Sequence, residues 1–159
     1  MLVLAGCGGG GKAESASHVV RGTGYRFEAP TDWRIVRSGR QVQAAEGGAS
    51  LALVAVSRFP LLRRAEQRLS QKAVKELDRL VTGLAAQQNG SIVSSENTEI
   101  AGRDARRYEF EYESRGKALV ERVAFVLRGK TEYFLLCRFE QNGDTGPCDR
   151  LLESFTLTS

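Results

Sequence analysis

From Arg63 or Arg64 to Gln88 the chain repeats apolar side chains at helical spacing, and no other stretch sustains that period for so long. Leu69, Ala73, Leu77, Leu80 and Leu84 recur at steps of three and four, and Val74 and Val81 widen the stripe. Gln67, Gln71, Lys75, Asp78 and Thr82 take the opposite face, and Asn89-Gly90 stops the pattern. A lone helix with one apolar stripe must bury that stripe against something else. Its neighbours in sequence read as strands, so the expected arrangement is a helix laid on a sheet.

Upstream, Tyr25 to Pro30 alternates in the strand manner, and Thr31-Asp32 turns the chain into Trp33-Arg34-Ile35-Val36, which predicts a short hairpin. Gln41 to Glu46 and Ser50 to Phe59 are the next two strands, with Gly47-Gly48 between them. Leu51 to Val56 is apolar on both faces and belongs inside the sheet. Downstream lie Ser91 to Ile100, Asp104 to Glu113, Lys117 to Arg128 and Thr131 to Phe139, separated by turns at Gly102, Arg115-Gly116 and Gly129-Lys130. These predict an antiparallel meander. Between Arg107 and Glu113 aromatic and charged residues alternate, so one face is core and the other is wet. Tyr133 to Cys137 is apolar throughout and should be central. Pro147 to Glu153 predicts a short helix, and Phe155-Thr156-Leu157 closes the chain. The fold class is α+β: one antiparallel sheet, one long helix packed on it, and a short C-terminal helix.

With 159 residues, 42% of them hydrophobic, the chain has enough material for one core and too little for two ordinary domains. Catalytic groups are scarce. The one histidine, His18, falls in the expected tether, where no fold could orient it against a Ser, and no His-rich metal cage can be built. Gly8 to Gly11 before Lys12 lacks the strand and Ser/Thr helix that make a phosphate loop bind. Asp104, Glu109, Glu111 and Glu113 read as the solvated side of a strand, not as a catalytic pair. No enzyme, cofactor or metal is expected. The net charge of +4 comes from eighteen Arg and five Lys against nineteen acids, spread without a block of like charge.

Three cysteines divide by context. Cys137 ends a core strand and Cys148 begins the short helix, so in an oxidising compartment they would form a disulfide pinning helix to sheet. Two buried free thiols, or a reactive Cys148 thiolate at the helix N-terminus, are the alternatives.

Cys7 is the third. Leu4-Ala5-Gly6-Cys7 resembles the lipobox of bacterial lipoproteins at all four positions. The resemblance implies acylation of the Cys7 sulfur and cleavage after Gly6, leaving residues 1–6 as the remnant of a signal peptide. Residues 7–22 are then expected to be a lipidated flexible tether, and 23–159 the domain. Only six residues precede Cys7 and none is basic, so either the true start lies upstream of Met1 with a fuller signal peptide or the match is accidental.

The order of strands, long helix, strands and short helix, together with Gly24-Tyr25-Arg26-Phe27-Glu28-Ala29-Pro30 and Trp33 and the closing Ser154-Phe155, resembles the Mog1/PsbP-like domain of small bacterial lipoproteins. The likeness covers about Gly24 to Leu157. It implies an adaptor-type domain without a shared catalytic constellation. Members include extrinsic photosystem subunits, Ran-GTPase partners and envelope lipoproteins, and the lipobox favours the last group. A cytosolic Mog1-type adaptor, with an accidental lipobox, and an exported hydrolase remain as alternatives.

Arg63, Arg64 and Arg68 fall at the start of the expected long helix, where cations oppose the macrodipole. They are the candidate contact for an anion or a partner. The expected partners are the membrane, through the acyl anchor, and an envelope protein or polyanionic component, with no nucleic acid and a monomeric domain.

Overall fold

The structure, a computed structural model, describes residues 16–159. Cys7 and the lipobox lie outside the described residues. Ten strands and two helices follow in the order β1 (Ser17–Gly22), β2 (Tyr25–Pro30), β3 (Arg34–Ser38), β4 (Gln41–Ala45), β5 (Leu53–Pro60), α1 (Gln71–Gln87), β6 (Ser91–Ile100), β7 (Arg103–Ser114), β8 (Lys117–Arg128), β9 (Thr131–Glu140), α2 (Gly146–Ser154) and β10 (Thr156–Leu157). Seven strands form one antiparallel sheet in the order β3-β4-β5-β9-β8-β7-β6. The apolar β9 is its middle strand, and β5 lies inside it, as the sequence predicts. A second sheet, β1-β2-β10, stacks on one face.

Alternation along β8 explains how one sheet serves two cores. Val120, Ala124 and Val126 face the small sheet and α2, where they meet Phe27, Phe155 and Leu151 in one cluster. Leu119, Val123 and Phe125 face the other way, into a cluster with Leu77, Val81 and Ala85 of α1 and with Tyr108, Phe110 and Tyr112 of β7. Side chains two apart share a face, so a strand covered on both sides must be apolar at nearly every position. On β7 the aromatics go under α1, and the intervening charges stay on the open face.

Several expectations are corrected. Ser17–Gly22, expected in the tether, is a strand paired with β2 through the turn at Thr23-Gly24, where Gly24 takes φ +82. The folded domain therefore includes these residues. The expected hairpin between Tyr25–Pro30 and Trp33–Val36 does not form, because β2 pairs with β1 and β10 while β3 pairs with β4. The turn between them is a corner from one sheet to the other.

The long helix begins at Gln71, not at Arg63 or Arg64. Ser70 caps it by accepting the Ala73 amide hydrogen at 3.1 Å. The preceding residues form an irregular strap whose amides go elsewhere: Leu61 N–H donates to the Lys130 carbonyl and Ala65 N–H to that of Gly129. Leu80, expected in the buried stripe, is 47% exposed, and the buried row is Leu77, Val81 and Ala85.

Candidate functional site

The predicted site residues occupy separate places. Cys137 and Cys148 are joined in a disulfide across 5.4 Å between Cα atoms, and both are fully buried between β9 and α2. In this arrangement the two sulfurs are bonded to each other and neither is a free thiol. Closing so short a loop stabilises the fold by about 2–3 kcal/mol. The Cys137→Ser/Cys148→Ser double variant is expected to melt roughly 4–12 °C lower with an unchanged far-ultraviolet circular dichroism spectrum. An unshifted melting temperature would show that α2 is held by packing alone.

Arg63, Arg64 and Arg68 lie in the strap before α1 and outside its first turn, not at the start of the helix as expected. Arg63 and Arg64 point into solvent beside Leu62, whose side chain is 99% exposed. His18 sits in β1 opposite Ala29, with Nδ1 buried and without a hydrogen-bond partner among the described residues. Of the carboxylates on β7, Glu109 pairs with Arg122 at 2.6 Å and Asp104 accepts the Leu69 N–H.

Two polar clusters beneath or beside α1 escaped the sequence reading. In the first, the Tyr108 hydroxyl donates to Asp78 Oδ1 at 2.6 Å and Arg106 binds the same oxygen, its guanidinium lying 5.3 Å from the Tyr108 ring centre. The phenol bond holds the Asp78 carboxyl below its ordinary range, with Arg106 assisting. Burial, reinforced by Asp78, pushes the Tyr108 phenol up to about 12.

In the second, Glu121 is buried and accepts from the Tyr112 hydroxyl at 2.5 Å and from Arg138 Nε at 3.0 Å. Burial raises the Tyr112 phenol, and the Glu121 carboxylate raises it further. Glu121 and Arg138 are register partners on β8 and β9, both on the face turned toward α1. The sequence signal for this pair was a charge set inside each of the apolar runs of β8 and β9. Arg138 and Tyr112 line an open cleft of about 330 Å³ together with Leu51, Leu119 and Arg115. Its chemistry is that of holding a polar group: one guanidinium is already committed to Glu121, and the carboxylate is held as an acceptor by two donors. Among the described residues no group of His, Cys, Asp and Glu is placed to hold a metal.

No family model and no curated protein matches the chain by sequence. By structure it is similar to the cyanobacterial PsbP (CyanoP) of Synechocystis sp. PCC 6803, with a TM-score of 0.55 and 15% identity over 98% of this chain and 99% of that one. The fold is PsbP-like. LpqN of Mycobacterium tuberculosis, a protein involved in cell envelope biogenesis, superposes with a TM-score of 0.54 and 12% identity, covering 91% of each chain. A protein from Bacteroides thetaiotaomicron gives 0.61 and 10% over 92% of this chain, which spans 49% of that longer one. At such identities the likeness establishes the PsbP-like fold and carries no site residue across.

Proposed function

We propose that the chain is a cell-envelope lipoprotein, held to the membrane by acyl groups on Cys7, whose PsbP-like domain binds a protein or polyanionic envelope component without catalysing a reaction. The allocation of cysteines carries this reading. Cys137 and Cys148 close a disulfide of the kind that persists in oxidising compartments, which leaves Cys7, at the lipobox, as the remaining thiol. Two or three acyl chains, each methylene contributing about 0.8 kcal/mol, anchor a domain firmly. Among the described residues no helix is long and apolar enough to cross a membrane. The envelope role of LpqN, which shares the fold, points the same way. The non-catalytic part of the proposal is supported by the polar clusters, where Asp78 and Glu121 are each held by a phenol and a guanidinium.

Mass measurement of the N-terminal peptide from the native membrane fraction decides the anchor. The expected species begins at Cys7 and carries a diacylglyceryl group, and Cys7→Ser moves the protein to the soluble fraction. Recovery of an unmodified peptide running intact through Gly6-Cys7 would overturn the proposal.

A further inference from the structure

One end of the large sheet concentrates cations. The β3–β4 turn carries Arg40, β5 carries Arg58 two residues before its end at Pro60, the strap carries Arg63 and Arg64, β8 ends on Arg128, and the β8–β9 turn carries Lys130. These segments are adjacent: Arg58 N–H donates to the Arg40 carbonyl, and the strap hydrogen-bonds the Gly129 and Lys130 carbonyls. None of the six cations pairs with a carboxylate side chain among the described residues; Arg128 donates to the Thr158 carbonyl at 3.0 Å, and the Nε of Arg58 is buried without a hydrogen-bond partner. The acids at this end are Glu66, Glu99, Asp104 and Glu132; Asp104 is occupied by the Leu69 amide, and burial pushes the Glu132 carboxyl up.

Apolar groups project from the same end. Leu62 is 99% exposed and Phe59 41% exposed, on either side of Pro60-Leu61. A fully solvated leucine followed by two arginines is a poor surface for a molecule that stays in water and a good one for an interface whose outer layer is anionic and whose inner layer is hydrocarbon.

We infer that the end formed by the 59–64 segment and the β8–β9 turn docks on an anionic phospholipid bilayer, with Leu62 and Phe59 entering the interface and the surrounding Arg and Lys side chains meeting headgroups. The proposal deepens the envelope reading, on which it rests for the presence of a membrane. The chain enters the domain at the opposite end, where Thr31 N–H donates to the Ala16 carbonyl. The nine residues from Cys7 to Ala16 reach at most about 30 Å when extended, more than the roughly 20 Å length of a six-residue strand such as β1. An acylated Cys7 and the basic end can therefore meet one bilayer.

The test uses the full 159-residue chain without an acyl group, sedimented with phosphatidylglycerol-containing vesicles and with pure phosphatidylcholine vesicles at low salt. Binding to the anionic vesicles alone is expected, weakened at least tenfold by Arg63→Glu/Arg64→Glu, whose exposed positions should leave the melting temperature unchanged. In a Leu62→Trp variant, emission should move to the blue on anionic vesicles. Absence of vesicle binding overturns the docking face, as does binding indifferent to the charge reversal. Equal binding of soluble polyphosphate or an acidic protein without the Leu62→Trp shift overturns it in favour of those partners. Because the protein carries no acyl group, each of these outcomes is separate from the fate of Cys7 acylation.

Discussion

Replacing Tyr25 with alanine is expected to lower the stability of the domain by about 4 kcal/mol and its melting temperature by roughly 8–16 °C. The ring is 2% exposed and packs between the sheets against Phe27, Tyr133 and Phe155, with ring centres 6.3, 5.8 and 5.9 Å away. It sits at the one place where β2, β9 and the residue after α2 converge, so neighbouring backbone cannot close the space left by truncation. Its hydroxyl donates to the Val56 carbonyl of β5 at 3.2 Å, tying the small sheet to the large one. Gly22 makes room for the ring: a Cβ there would fall 2.0 Å from Tyr25 Cζ. Tyr25→Phe keeps the packing and loses only the hydrogen bond, for a cost of about 1 kcal/mol. Urea denaturation measures both, as shifts in midpoint at constant slope. A loss below about 1.5 kcal/mol for the alanine variant would mean that the aromatic cluster does not fix the small sheet, and that the disulfide and α2 do.

Where local pattern and tertiary environment agree, the fold was legible. The aromatic and charged alternation of β7 reports a strand with one covered face, and the uninterrupted apolar run of β9 reports the middle of the sheet, because both are direct images of burial. The cysteine pair was legible because each Cys ends or begins a strongly patterned element. Legibility failed where the decision is made far away in the chain. In β1 Val20 is the one buried apolar residue while Val19 is 48% exposed, so Ser17–Gly22 looks like more tether until β2 is there to pair with it. The corner after Pro30 uses turn residues that a hairpin would also use. β2 belongs to a different sheet because its edges are taken by β1 and, from the far end of the chain, by β10. The strap from Leu61 to Leu69 keeps an apolar step of four, yet its amides are claimed by turn carbonyls and by Asp104. Ser70 was the local mark of the true helix start. For the candidate site, Arg63, Arg64 and Arg68 were visible as charges; that they share an end with the β3–β4 and β8–β9 turns is a property of register.

Glu121 shows how large an effect a residue invisible to periodicity can have. Glu121→Ala is expected to cost about 3 kcal/mol, because it strands two donors, the Tyr112 hydroxyl and the Arg138 guanidinium, whose acceptor it is. The carboxylate side chain is 6% exposed and that of Arg138 25%, so the guanidinium left behind is partly able to recruit water from the cleft it lines, which keeps the loss at the low end for a broken buried pair. Glu121→Gln retains an acceptor oxygen and should lose about half as much. The pH dependence gives an independent readout. In the folded protein burial, then Glu121, holds the Tyr112 phenol protonated above its ordinary value of 10.0. The unfolded chain releases that proton near pH 10, so this contribution to stability is fully present below pH 10 and is lost as the pH rises past it. Removing the Glu121 charge lowers the folded phenol toward its ordinary value. The alanine variant, though less stable at neutral pH, should therefore lose less further stability between pH 10 and 11 than the parent, and its ultraviolet phenolate absorbance should rise at lower pH. If the variant loses stability with a parallel alkaline slope and an unmoved phenolate titration, Glu121 acts through packing alone and the hydrogen bond to Tyr112 carries no charge coupling.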